Sequence, residues 1–74
     1  MDTPWFLLYH GTSVDGSGPA QYTGRTCDEA LARAFLAVER ANRYATGYVD
    51  IYTDTSHERV RHPDFVLPTA SFSR

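Results

Sequence analysis

Lysine is absent from this chain, and cysteine, methionine and tryptophan each occur once. The lone Cys27 excludes an internal disulfide and any cysteine-rich zinc site. At the first turn of a predicted helix and two residues from Arg25, its thiol has no placed partner base, so an inert role is expected. No apolar run approaches the ~20 residues that span a bilayer, and the opening Met-Asp-Thr-Pro-Trp carries no basic stretch. Neither anchor nor signal peptide is therefore expected, and the cytoplasm (a host cytoplasm, if the chain is phage-encoded) is the expected compartment. The formal net charge is −2, too mild for a nucleic-acid binder resting on a basic field and too mild for an acidic mimic of DNA.

Motifs are as scarce as lysine. Gly16-Ser17-Gly18 lacks the Gly-Lys-Ser/Thr of a phosphate loop, and Ser13, Ser17 and Ser56 have no Gly-x-Ser-x-Gly context. His57 and His62 stand five apart, a spacing that sends them to opposite sides of a strand, and His-Glu-x-x-His is missing. Neither a metal nor a cofactor is expected, and no catalytic residue is assigned.

What is present fits one small domain over residues 1–74, with 42% hydrophobic and 14% aromatic residues. A core that size supplies roughly 3–5 kcal/mol of net stability, which leaves little material for a deep substrate cavity. All seven basic residues are arginines, at 25, 33, 40, 43, 59, 61 and 74. Codon bias of a GC-rich genome accounts for such a preference, and arginine also suits an interface because its guanidinium forks and stacks where an ammonium cannot.

Along the chain, Trp5 to His10 is almost continuously apolar, which predicts a central strand buried on both faces. Residues 11–20 hold three glycines and a proline and predict a loop, with Gln21-Tyr22-Thr23 extending briefly. Thr26 followed by Glu29 has the spacing of a capping box, so a helix is predicted from 27 to about 45, stopping near Gly47. Residues 47–53 alternate, with Tyr48, Asp50 and Tyr52 on one side. A turn at 54–57 and a partner strand at 58–61 follow. Phe65-Val66-Leu67 predicts a short strand or an extended packing segment, and 69–74 a loose tail. The fold class is α+β: one main helix packed on a small, mostly antiparallel sheet of three to four strands.

At 3.6 residues per turn, Leu31, Ala34, Phe35, Val38, Ala41 and Ala45 share one face of the helix, predicted to pack on the sheet. The opposite face, predicted exposed, carries Arg33, Leu36, Arg40 and Arg43, with Tyr44 at its border. A leucine and an aromatic among arginines is the mixture that interface anchors favour. Tyr48 and Tyr52 form a second candidate row, on whichever sheet face the helix leaves uncovered.

Leu8-Tyr9-His10-Gly11-Thr12-Ser13, Tyr22-Thr23, Glu29-Ala30-Leu31-Ala32-Arg33-Ala34-Phe35 and Gly47-Tyr48-Val49 together resemble the N-terminal half of the ADP-ribosyltransferase superfamily. The likeness covers roughly residues 7–49. It implies a cofactor site for NAD in which His10 bonds a ribose hydroxyl, the backbone around Gly11 and Thr12 holds the nicotinamide amide, and Tyr22 stacks on the nicotinamide. The family's helix between the first strand and the Tyr-Thr strand is replaced here by about ten Gly- and Ser-rich residues. No motif surrounds Glu58 as it would a catalytic glutamate. In size and composition alone the chain also resembles small phage inhibitors such as anti-CRISPR proteins. The expectation is thus a non-catalytic binding protein that blocks a host protein complex, such as one that processes nucleic acid, by steric contact. An NAD-binding transferase-like domain is the alternative.

Overall fold

The computed structural model describes residues 3–12, 18–43 and 46–67. Four strands and one helix follow in the order β1 (Trp5–Gly11), β2 (Ala20–Thr26), α1 (Glu29–Ala41), β3 (Tyr48–Tyr52) and β4 (His57–Val60). The strands form one sheet in the order β2-β1-β3-β4, every neighbouring pair antiparallel. β2 and β3 both run against β1, so α1 carries the chain over β1 in a split β-α-β crossover. This is the expected α+β class, with one helix on a four-stranded antiparallel sheet.

Period-two alternation divides the sheet. Phe6, Val49, Ile51 and Val60 point towards α1, where Ala32 and Leu36 meet them, and Phe65 from the segment after β4 closes the core. The Phe65 ring lies 6.1 Å from that of Phe6. Residues 65–67 are the extended packing segment and form no strand. β2 is longer than its composition suggests because β1 templates it. A bulge between Leu8 and Tyr9 leaves Thr23 as the extra residue, and its hydroxyl donates to the Leu8 carbonyl at 3.1 Å.

Three expectations are corrected. First, β1 is internal in the sheet but only one of its faces is covered: Trp5 is exposed and Leu7 and Tyr9 are half-buried. Second, the helix is shorter at both ends. Asp28, not Thr26, is the N-cap, its Oδ1 accepting from the N–H groups of Ala30 and Leu31 at 3.0 and 3.4 Å. Thr26 ends β2 opposite Phe6, and its hydroxyl accepts instead from the Asp28 N–H. At the other end Asn42 caps the helix and Arg43 turns it at φ 64°, so Gly47 is not the stop.

Third, the helix is rotated about its axis by more than one residue position, roughly 130° at 100° per residue. Leu36 is 0% exposed and lies in the core, whereas Leu31 and Val38 are 51% and 55% exposed. The cause is a set of polar anchors on the inner side. Glu39 reaches His10 and Gly11. Arg33 lays its guanidinium 4.1 Å from the Phe65 ring centre, donates to the Pro63 carbonyl at 2.7 Å and bonds Glu29. Arg40 donates to the Gly47 carbonyl at 2.8 Å.

Candidate functional site

Among the described residues no helix lies on the second face of the sheet, and the strand register arranges its side chains in three rows across the strands. Tyr22, Tyr9 and Tyr48 form the first. Tyr9 and Tyr48 stack with ring centres 4.5 Å apart, and Tyr22 meets Tyr9 edge-on at 5.5 Å. Arg25, Leu7, Asp50 and Arg59 form the second. Trp5, Tyr52 and His57 form the third, with Tyr52 and His57 stacked at 4.2 Å and 3° between planes.

Guanidiniums lie between the rings. Arg25 sits 4.8 Å from the Trp5 ring centre, and Arg59 and Arg61 sit 4.0 and 5.3 Å from that of Tyr48. Such contacts contribute about 0.5–1 kcal/mol each at exposed sites, and they hold flexible side chains in place. Asp50 is the buried organiser. It accepts from Arg59 Nε and Nη2 at 2.9 and 3.3 Å, and His57 Nε2 lies 3.4 Å away. The hydrogen bond to Asp50 is the main reason the Arg59 guanidinium is held above its ordinary pKa. The Tyr9 phenol is likewise raised, first by burial among its neighbours and then by the Asp50 charge. The result is a preassembled surface of rings and cations with its one buried carboxyl already engaged.

The covered face holds a different polar cluster. Glu39, on α1 and buried, forms a 2.5 Å hydrogen bond with His10 Nδ1, and its other oxygen accepts from the Gly11 N–H at 2.8 Å. Gly47 makes this possible, because a Cβ there would overlap the Glu39 carboxyl group. Thr12 donates its hydroxyl to the Pro19 carbonyl at 2.7 Å, closing the base of the β1–β2 connection.

The residues singled out in the sequence are therefore distributed over separate surfaces. Tyr48 and Tyr52 lie together on the uncovered sheet face. Leu36, expected on an exposed interface, is a core residue, because rotation of α1 turns it inward. Arg33 and Arg40 are half-buried and bonded to backbone carbonyls, and Arg43 is exposed beyond the helix. Tyr44 lies outside the described residues. His10 and Tyr22, proposed to share a ligand, are on opposite faces of the sheet, and the Gly11 N–H already has a partner in Glu39. Trp5, Tyr9, Arg25, Arg59 and Arg61 were not anticipated. For Trp5 and Tyr9 the signal was the alternation of Trp5, Leu7 and Tyr9 with Phe6, Leu8 and His10, which is hidden when five of the seven positions of β1 are apolar or aromatic.

No family model, curated protein or solved structure matches this chain. Among the described residues no helix is long and apolar enough to cross a membrane.

Proposed function

We propose that this chain is a non-catalytic binding module that seats a partner protein on the uncovered face of its sheet. One observation carries the reading: four of the five tyrosines and the only tryptophan stand on that face, interleaved with Arg25, Arg59 and Arg61. Tyrosine, tryptophan and arginine are the residues in which interface hot spots are richest, and pre-stacked rings lose little conformational freedom on binding. The small size and composition favour an inhibitor that acts by occlusion, and the mild net charge favours a protein surface over the phosphate backbone as the thing occluded. An NAD-binding role would need Glu39 to release the Gly11 N–H and would leave Tyr22 across the sheet from His10.

The test is affinity capture from host lysate with the wild type and with Trp5→Ala/Tyr22→Ala/Tyr52→Ala, all exposed positions whose loss leaves the core intact. Loss of the captured protein by at least about thirtyfold is expected, matching about 2 kcal/mol for a hot-spot cluster. Equal capture by both would place the interface elsewhere. Binding of labelled single-stranded oligonucleotides, measured in parallel, would change the partner class to nucleic acid, since rings and guanidiniums also stack on bases.

A further inference from the structure

The three arginines of the uncovered sheet face are not equally satisfied. Arg59 is matched by the Asp50 carboxylate. Arg25 and Arg61 are exposed, lean on the Trp5 and Tyr48 rings, and among the described residues meet no carboxylate. Arg59 and Arg61 both approach the Tyr48 ring, at 4.0 and 5.3 Å from its centre, yet Asp50 offsets only the first. A ring contact uses no oxygen acceptor. Each unmatched guanidinium therefore keeps its fork of N–H donors, which fits a carboxylate edge to edge.

Charge is segregated accordingly. The chain holds seven basic and nine acidic residues. On its strands, with Arg61 just past β4, the uncovered face has three of the basic ones and one acidic, Asp50, which leaves four and eight for the rest. Glu58, opposite Ile51, belongs to the helix side. The face is thus cationic in a chain that is anionic overall, a polarity that orients an acidic partner before contact.

The two rings set the spacing. Trp5 begins β1, and Tyr48 stands beside Tyr9 on the neighbouring strand, so the rings lie one strand and four residues apart, about 14 Å. Half-buried Leu7 and the engaged Asp50 lie between them. In an extended chain, residues four apart are separated by about 13 Å and point to the same side. We propose that the partner lays an extended acidic segment along β1, with one carboxylate on Arg25, a second four residues away on Arg61, and an aliphatic side chain between them over Leu7. The inference rests on the reading of this face as the surface that seats a protein, and it names the chemistry seated there. Nucleic acid fits less well. A phosphate tract calls for cations in succession, whereas an apolar side chain and a carboxylate separate the unmatched pair here. The acidic remainder of the chain would also repel the strand beyond the face.

The probe is a short peptide, blocked at both ends and centred on Glu-Thr-Leu-Thr-Glu, titrated into the isotope-labelled full chain to about 2 mM and followed by NMR. Shifts are expected at the Trp5 indole and at the Arg25 and Arg61 side-chain N–H groups. Peptides centred on Gln-Thr-Leu-Thr-Gln or on the reordered Glu-Glu-Leu-Thr-Thr should bind about tenfold more weakly. Arg25→Gln and Arg61→Gln, both at exposed positions, should each weaken binding about threefold and together about tenfold. Raising salt from about 0.05 to about 0.5 M should weaken the wild-type complex and scarcely affect the double variant. Absence of shifts at about 2 mM, or equal affinity for the glutamine or reordered peptide, overturns the proposal. So does binding of a single-stranded oligonucleotide in place of the peptide. In capture from lysate, loss with Trp5→Ala/Tyr22→Ala/Tyr52→Ala but not with Arg25→Gln/Arg61→Gln would overturn the acidic partner and leave the face as the docking surface. Capture indifferent to both variants would overturn the two readings together.

Discussion

Glu39 and Asp50 are each 2% exposed, yet they lie on opposite faces of one sheet and are compensated by different means. Glu39 is held by a backbone N–H and by an imidazole on β1, both rigidly placed, so its carboxyl fixes the rotation of the helix that carries it. Asp50 is held by side chains from β4, a guanidinium and an imidazole that are themselves about half exposed. The first arrangement is architectural, because removing it strands a buried donor. The second arranges a surface, because Arg59 and His57 retain access to water. Two buried acids thus mark the two halves of the molecule, one that sets the fold and one that prepares a face for contact.

The largest effect is expected where the backbone is the partner. Glu39→Ala leaves the Gly11 N–H unpaired beneath the helix and opens a void beside Gly47, a cost of about 3 kcal/mol. For a domain of this size that lowers Tm by roughly 12–24 °C. Glu39→Gln keeps an oxygen for Gly11 and should lose markedly less. Thermal melts followed by circular dichroism decide the matter, and a Glu39→Ala chain that melts with the wild type would remove Glu39 from its place as the pin of the helix.

The same pin explains which parts of the fold were legible in the sequence. Strand alternation in residues 48–52 and the turn before β4 follow from local chemistry and lie close to their expected places. The helix existed as expected, but its rotation was not legible: the apolar stripe of Leu31, Ala34, Phe35 and Val38 is what periodicity assigns to a core. Inward anchoring of Glu39, Arg33 and Arg40 depends on His10, Gly11, Pro63 and Gly47, contacts that span up to thirty residues of sequence. Tertiary bonds of this kind override a local amphipathic pattern. The sheet face was half legible. Tyr48 and Tyr52 announced themselves by alternation, while Tyr9 and Trp5 were masked in an unbroken apolar run. Arg59 is placed by the pairing of β4 with β3, which sets it opposite Asp50, and Arg61, just past β4, by its approach to the Tyr48 ring.

On the open face the matching substitution should do less to the fold and more to recognition. Asp50→Asn keeps the side-chain shape and removes the charge that holds Arg59 over Tyr48. Screening by water at the half-exposed guanidinium limits the loss, and a fall in Tm of roughly 5 °C is expected. Capture of the partner should drop nonetheless, with the near-ultraviolet signal of the tyrosine stack altered. A Tm loss as large as that of Glu39→Ala would show that Asp50 is structural too, and the contrast between the two acids would fail.

The smallest effect separates the faces by pH alone. Burial, and next the nearby Asp50 charge, raise the Tyr9 phenol above its ordinary value of 10.0. A raised phenol keeps its proton longer in the folded chain than in the unfolded one. Its contribution to stability is therefore complete below pH 10.0 and is lost as pH climbs from there through the raised folded value. Tyr9→Phe removes this linkage, so its alkaline unfolding should be less steep than that of the wild type. Difference absorbance during titration should show the missing phenol ionising above 10.0. If the missing phenol instead ionises at or below that value, the rings of the first row do not shield one another from water, and the face is looser than the stacking of Tyr9 on Tyr48 implies.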